Sequence, residues 1–220
     1  MPVQIAIIDD GVNEKLYNSG TLCTNIEITP DNTIQQRNCH DPFMPSHGTS
    51  CAAIIKRYAP AAVISSIKIL SDSSKTSMRN QLVKALKWCS ENNVQLINLS
   101  LGTIDFRDFA EIRKVADELH SKGIIMVAAC NNRNVYTVPA ALPTTIGVKC
   151  DIGENLQEGE FVWNSFAPDG IEITACGRHF IKKYTGEGKA TNPCNSFAAP
   201  MITGIVHNIM AENPGICFNS

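Results

Sequence analysis

Apolar runs alternate with amphipathic stretches along most of this chain, and this alternation restricts the fold more than any other feature. The runs IAII, VQLINL and IIMVAA are almost continuously apolar, as expected of strands that are buried on both faces. Between such runs, apolar residues recur at helical spacing. Strands that alternate with helices build βαβ units. The sequence therefore predicts an α/β fold of three layers, α/β/α, with a mostly parallel central sheet.

The apolar patterns and the turn signals between them define the predicted elements. The predicted helices are residues 46–58, 77–92, 106–121 and 195–213. The predicted strands are residues 3–8, 62–70, 94–99, 124–129 and 145–150, followed by shorter ones, open to hairpin pairing, at 162–167, 171–176 and 180–184. Because no repeat, linker or low-complexity segment divides the chain, we expect a single domain over residues 1–220.

Charge and cysteine usage restrict the partners and the compartment. The formal net charge is −2 and no basic run occurs, which argues against binding to nucleic acid or to a membrane surface. The N-terminus MPVQIAIIDDGV lacks the features of a signal peptide, and no stretch approaches the roughly 18 apolar residues of a membrane helix. Nine cysteines without an export signal favour reduced thiols, so we expect a cytoplasmic protein.

Functional groups of parallel sheets gather at the carboxyl ends of the strands, and three segments of this chain lie there. Asp9 follows the first strand, the segment Ser100-Leu101-Gly102 follows the third, and Asn131 follows the fourth. An aspartate in this place can accept a hydrogen bond from a histidine and select its tautomer. Taken alone, the Asp-Gly dipeptide at residues 10–11 is better explained as a simple turn.

Two helix starts carry further candidate residues. His47 opens the helix in SHGTSCAAII, where Gly48 allows another backbone to approach closely, although a lone histidine here is better explained as a half-buried surface residue. Ser196 begins NSFAAPMITGI, either as a helix N-cap or as a nucleophile beside amide groups that favour negative charge. Pro200 is predicted in the first turn, where its missing N–H costs little. An N-cap role alone does not explain why the following residues are so small.

The order aspartate, histidine, serine is that of subtilisin. The stretches IAIIDDGV, HGTSCAA, NLSLG, VAACNN and NSFAAPMITGI together resemble the subtilisin-like serine proteases, the subtilases, over nearly the whole chain. The resemblance implies the subtilisin-like three-layer fold and a serine endopeptidase. It assigns Ser196 as nucleophile, His47 as general base and then acid, and Asp9, rather than Asp10, as the carboxylate that orients the histidine.

The resemblance also implies the substrate-binding residues. Asn131 matches the asparagine of the oxyanion hole, which it would form together with the backbone N–H of Ser196. The segment 100–102 (Ser100, Leu101 and Gly102) matches the edge that pairs with an extended peptide substrate, and Ala129 and Cys130 lie beside it. The family usually has glycine at Cys130, so we expect a narrowed pocket that favours a small residue on the acyl side of the cut.

Two further departures concern cysteines. The family usually has Gly-Thr where this chain has Cys194-Asn195, so Cys130 and Cys194 both flank candidate catalytic residues. They are either two small packed thiols or an oxidisable pair that blocks the site. Cys51 lies on the His47 helix, where we expect a small buried residue.

The resemblance is to a compact subtilase without a propeptide, and we expect neither a metal nor a cofactor. A small subtilase without export features suggests limited intracellular processing of a precursor, such as leader removal from a peptide. The alternatives are a transpeptidase or macrocyclase that uses the same triad, and a catalytically weak module that only binds peptides. Self-association, or completion of the fold by a partner chain, also remains open.

Overall fold

The computed structural model describes residues 2–39, 41–70, 79–133 and 135–214. The helices within these ranges are α1 (His47–Tyr58), α2 (Arg79–Glu91), α3 (Phe106–Ser121) and α4 (Asn195–Glu212). The strands are β1 (Gln4–Asp9), β2 (Thr24–Ile28), β3 (Ile34–Gln36), β4 (Val63–Lys68), β5 (Leu96–Leu99), β6 (Ile125–Ala129), β7 (Ile146–Cys150), β8 (Phe161–Trp163), β9 (Ile173–Ala175), β10 (Phe180–Lys182) and β11 (Gly188–Ala190). None of these helices combines the length and the apolar character needed to span a membrane.

Nine of the described strands form one sheet in the order β3-β2-β4-β1-β5-β6-β7-β9-β8. Every pair from β2 to β9 in this order is parallel. The two edge strands, β3 and β8, pair antiparallel with their neighbours, and β10 and β11 form a separate hairpin. The parallel core places the carboxyl ends of β1, β5 and β6 side by side at one edge of the sheet.

Alternate residues of the central strands point into two separate cores. Ala6 and Ile8 of β1 belong to a core that includes apolar residues of α2 and α3. Ile5 and Ile7 belong to a second core, on the opposite face of the sheet, with apolar residues of α1 and α4. This period of two along a strand with both faces covered explains why its sequence is uniformly apolar.

The three-layer architecture and the parallel sheet confirm the fold that the sequence predicts. The observed bounds of the predicted elements are mostly within two residues of the predicted ones; the first two residues of the second predicted helix, residues 77–78, lie outside the described residues. The sequence analysis missed β2, β3 and β11. Residues of β3 and β11 are all exposed, and three of the five residues of β2 are only half-buried, so these strands lack the apolar runs that mark the others.

Candidate active site

Asp9 and His47 are joined by a hydrogen bond at the carboxyl edge of the sheet. Asp9 is the last residue of β1 and only 1% exposed, and its Oδ2 lies 2.8 Å from Nδ1 of His47. Its other oxygen, Oδ1, accepts the backbone N–H of Asp10 at 2.8 Å. The carboxylate is thus held on both sides, and a proton on Nδ1 leaves Nε2 as the basic nitrogen of the ring.

The neighbouring Asp10 binds the start of the His47 helix. Its Oδ2 accepts the backbone N–H of His47 at 3.0 Å, and its Oδ1 accepts that of Gly48 at 2.8 Å. These N–H groups have no acceptor inside the helix, and a carboxylate there also complements the positive end of the helix dipole. The sequence analysis gave Asp10 no role, yet this carboxylate ties the first residues of α1 to the end of β1.

Gly48 packs α1 directly against the loop that follows β1. A Cβ at this position would lie 2.8 Å from the carbonyl oxygen of Gly11 and 3.2 Å from Cβ of Asp9. Ser46 is the helix N-cap, accepting the N–H of Thr49 and donating to the same Gly11 oxygen at 2.7 Å. The close approach predicted for Gly48 is therefore present, and it lets Asp9 and His47 meet.

The pKa of His47 is raised above its ordinary value. A thiolate at Cys51 would favour the imidazolium most, the hydrogen bond to Asp9 also favours it, and burial opposes it. Burial also raises the pKa of the Cys51 thiol. Cys51 is therefore an uncharged thiol at neutral pH, and the Asp9 carboxylate is the partner that raises the pKa of His47.

Ser196 is the second residue of α4, and the N-cap is Cys194. The cap makes no hydrogen bond through its side chain, and its Sγ lies 3.2 Å from Oγ of Ser196. The N-cap interpretation of Ser196 is therefore wrong. The placement of Pro200 in the first turn is also wrong, because α4 begins at Asn195 and Pro200 lies within the helix, in its second turn.

The N–H groups of the first turn of α4 differ in their partners. The N–H of Asn195 is bound by Oδ1 of Asn132 at 3.2 Å, and those of Phe197 and Ala198 reach the Cys194 carbonyl at 3.1 Å. Among the described residues, no acceptor lies at the N–H of Ser196. This donor is available to an incoming oxyanion beside the serine hydroxyl.

Asn131 follows β6 directly, at the same edge of the sheet. Its carboxamide oxygen accepts the N–H of Arg133 at 2.8 Å, and its own N–H donates to Thr137 Oγ1 at 3.1 Å. The first contact engages the side-chain oxygen and the second fixes the backbone, which leaves the Nδ2 amide as the group that can donate to an oxyanion.

The segment 100–102 runs from the end of β5 past the residues that follow β6. Ser100 and Leu101 are half-buried, Gly102 is exposed, and Thr103 forms an antiparallel bridge with Val138. A Cβ at Gly102 would lie 2.8 Å from Cγ2 of Thr137. Gly102 therefore packs directly against the residues after β6.

β6 ends at Ala129, and Cys130 follows it directly. Ala129 is buried, and Cys130 is half-buried with its Sγ 3.1 Å from Nδ2 of Asn195. The same amide reaches the Cys130 carbonyl at 3.1 Å, and Oδ1 of Asn195 accepts the N–H of Cys150 at 2.7 Å. Asn195, which was predicted only as a departure from the family, thus ties the start of α4 to β6 and β7.

The cysteines that the structure describes all carry free thiols, so no disulfide joins Cys130 to Cys194. Burial raises the pKa of Cys130 to about 11 and that of Cys150 to about 11, which keeps both groups as neutral thiols. The structure therefore contains Cys130 and Cys194 as two separate thiols and not as a bonded pair. Cys217 and His40 lie outside the described residues.

Phe197 and His179 are site neighbours that the sequence analysis did not identify. The Phe197 ring stacks on the imidazole of His47, with centroids 5.1 Å apart and planes 17° apart. His179 is fully buried, with Nε2 3.0 Å from the Phe197 carbonyl oxygen and Nδ1 3.1 Å from the Tyr58 hydroxyl. The start of α4 is thereby held against α1 next to His47.

The site also contains three side chains of types that can bind a metal ion, those of Asp9, His47 and Cys51. One carboxylate oxygen, one imidazole nitrogen and one sulfur lie within 4.8 Å of one another. These are ligand types that zinc accepts. The Asp9–His47 hydrogen bond already uses two of the three, and the expected absence of a metal stays a prediction.

A parallel sheet that presents a serine at a helix start, a histidine and a buried aspartate at its carboxyl edge is typical of serine peptidases. The model of the Subtilase family (Peptidase_S8) matches residues 2–219. The chain therefore belongs to the subtilase family.

Individual relatives show how far the likeness extends. M-protease from Shouchella clausii (strain KSM-K16) is 26% identical over 221 residues, which are 92% of this chain and 57% of M-protease. The chain thus spans little more than half the length of that relative. A cold adapted subtilisin-like serine proteinase of known structure has a TM-score of 0.75 at 22% identity, covering 98% of this chain and 77% of its own. The epidermin leader peptide processing serine protease EpiP from Staphylococcus aureus has a TM-score of 0.69 at 19% identity. The match covers 95% of this chain and 65% of the EpiP chain.

Proposed function

We propose that this protein is a serine endopeptidase that hydrolyses peptide bonds through an acyl-enzyme on Ser196. The observation that carries the proposal is the 2.8 Å hydrogen bond between Nδ1 of His47 and the buried Asp9. It leaves Nε2 of His47 as the base that takes the proton of the Ser196 hydroxyl. His47 then returns this proton to the leaving amine, and water releases the acyl group in a second, equivalent cycle.

The oxyanion that forms during the attack is stabilised by two donors in this proposal. They are the N–H of Ser196, for which the described residues offer no acceptor, and the Nδ2 amide of Asn131. Donors that are already in place need no reorganisation when the charge develops. An extended peptide would pair with the segment 100–102 and present its acyl-side residue beside Cys130.

We further propose that the reaction is limited processing of a peptide or protein precursor, such as the removal of a leader. The narrowed pocket that Cys130 leads us to expect supports it, because a pocket that accepts few side chains limits cutting to a few sites. The name of EpiP describes leader peptide processing, and that protein shares the fold. We also propose a cytoplasmic location, since the described cysteines are all free thiols.

Labelling with a fluorophosphonate, read by intact mass under reducing conditions, tests the proposed chemistry. We expect one adduct on the wild type, none on Ser196→Ala or His47→Ala, and an unchanged adduct on Ser165→Ala, a serine in an exposed stretch. No adduct on the wild type, or an adduct that persists in Ser196→Ala, would overturn the proposal.

A library of peptides then tests the processing role. Hydrolysis products from few sequences are expected, whereas broad digestion of every peptide contradicts limited processing. Cyclic or amine-coupled products would instead assign transpeptidation to the same site. Cell fractionation tests the location, and recovery of the protein outside the cytoplasm contradicts it.

A further inference from the structure

The start of α4 lacks one of its own backbone hydrogen bonds. In an α-helix the carbonyl of each residue accepts the N–H of the residue four positions later. The residue four positions after Ser196 is Pro200, which has no N–H. The carbonyl of Ser196, the candidate nucleophile, therefore has no helical donor.

The Ser100 hydroxyl takes the place of that donor. Its Oγ lies 2.9 Å from the Ser196 carbonyl oxygen and donates to it. Cys51 contributes a longer contact, with its Sγ 3.7 Å from the same oxygen. An unpaired carbonyl in a partly buried site would lose its hydration without compensation, so this contact replaces an interaction that the proline removes.

A second residue, Asn98, also contacts the Ser100 hydroxyl. Nδ2 of Asn98, a fully buried residue, donates to the Ser100 oxygen at 3.3 Å. Oδ1 of Asn98 lies 2.8 Å from the Thr203 hydroxyl, which also lies 3.0 Å from the Ala199 carbonyl oxygen. Because the Ser100 oxygen accepts a hydrogen bond from Asn98, its own proton is left to donate to Ser196.

We infer that Ser100 is a positioning residue, whose hydroxyl substitutes for the missing N–H of Pro200 and holds the peptide unit of the nucleophile Ser196. This inference rests on the proposed function. It gives Ser100 a task that is separate from substrate pairing, since substrate pairing involves the backbone of the segment 100–102. The carbonyl that Ser100 holds belongs to the bond between Ser196 and Phe197, so it fixes the direction in which the serine side chain leaves the helix.

A double-mutant cycle between residues 100 and 200 tests this inference. Pro200→Ala restores an N–H that can donate to the Ser196 carbonyl, so the hydroxyl of Ser100 becomes dispensable. The readout is the second-order rate constant of fluorophosphonate labelling, since this small probe has no peptide backbone to pair with the segment. We expect Ser100→Ala to lower the rate constant about tenfold when Pro200 is present, and less than about twofold when Ala is at position 200.

Two further variants complete the design. Ser100→Thr keeps a hydroxyl and is expected to retain most of the rate. Ser65→Ala removes a different buried serine hydroxyl, which accepts from Gln4, and is expected to leave the rate unchanged. An equal loss from Ser100→Ala in both backgrounds, or no loss in either, overturns the inference.

Thermal unfolding of the same four cycle proteins separates this inference from the proposed function. If the wild type is not labelled at all, the proposed function fails, but the cycle in melting temperature still reports whether residues 100 and 200 are coupled. A smaller loss of melting temperature from Ser100→Ala in the Pro200→Ala background supports the substitution of one donor by the other. Equal losses in both backgrounds contradict it.

Discussion

The Asp9 carboxylate accepts a hydrogen bond from Nδ1 of His47 over 2.8 Å, and the aspartate is almost completely shielded from water. Water therefore does not compete for this contact, and the ring is held in one tautomer. Asp10, the next residue, holds the backbone of the same histidine at 3.0 Å. Two consecutive carboxylates thus fix both the ring and the helix that carries it.

Asp9→Asn tests the role of the first carboxylate. The amide keeps the shape but favours the wrong tautomer of His47, so we expect the rate of peptide hydrolysis to fall by about 10⁴. The exposed Asp31→Asn serves as a control and is expected to be unchanged. A loss of less than about tenfold in Asp9→Asn would contradict the assignment of Asp9.

The pH dependence of stability follows from the raised pKa of His47. A raised folded pKa means that the folded state binds the proton more tightly than the unfolded state does. The resulting stabilisation is complete below the ordinary pKa of 6.5 and is lost as pH rises through the folded value. Urea unfolding of the wild type and of His47→Gln, repeated as the pH is raised above 6.5, measures this stabilisation. A stability difference between the two proteins that grows with pH above 6.5 would refute the prediction.

Asn131→Ala tests the oxyanion hole. Loss of one donor to the oxyanion is expected to lower kcat for a peptide substrate by about 10²–10³, with a small change in KM, because the contact forms mainly in the transition state. Asn155→Ala, in an exposed loop, is the matched control. A change confined to KM would instead indicate a role in substrate binding.

Cys130→Gly tests the narrowed pocket. Removing the side chain is expected to extend cleavage from small acyl-side residues to larger ones such as leucine and phenylalanine, as measured on a peptide library. The exposed Cys23→Gly should leave the preference unchanged. Efficient cleavage after large aromatic residues by the wild type would show that Cys130 does not restrict the pocket.

Asp10→Ala tests the contact between β1 and α1. Two backbone N–H groups lose a buried charged acceptor, and we expect the free energy of unfolding to fall by about 2 kcal/mol or more, as measured by urea denaturation. Asp105→Ala removes a more exposed N-cap of α3 and is expected to cost less. Equal costs for the two variants would show that Asp10 acts only as an ordinary cap.

The alternation of strands and helices could be predicted from the sequence because it depends on local apolar periodicity. The same holds for the placement of Asp9 and Asn131 at strand ends, since the carboxyl ends of parallel strands share one edge. β2 and β3 were missed because neither carries a continuous apolar run: β3 is an exposed edge strand, and polar residues interrupt β2. Phe197 and His179 offered no sequence signal, because their contacts to α1 join residues that are far apart in the chain.

The sequence by itself determined the layers of the fold, the order of the candidate catalytic residues and the absence of an N–H at Pro200. The sequence analysis expected this proline in the first turn, where a missing N–H costs little, and the structure places it in the second turn, so that the Ser196 carbonyl needs another donor. Only the tertiary structure decided which group supplies it, because Ser100 lies 96 positions away from Ser196 in the chain. Hydrogen bonds between such distant residues depend on how strands and helices pack, and local sequence patterns carry no record of that packing.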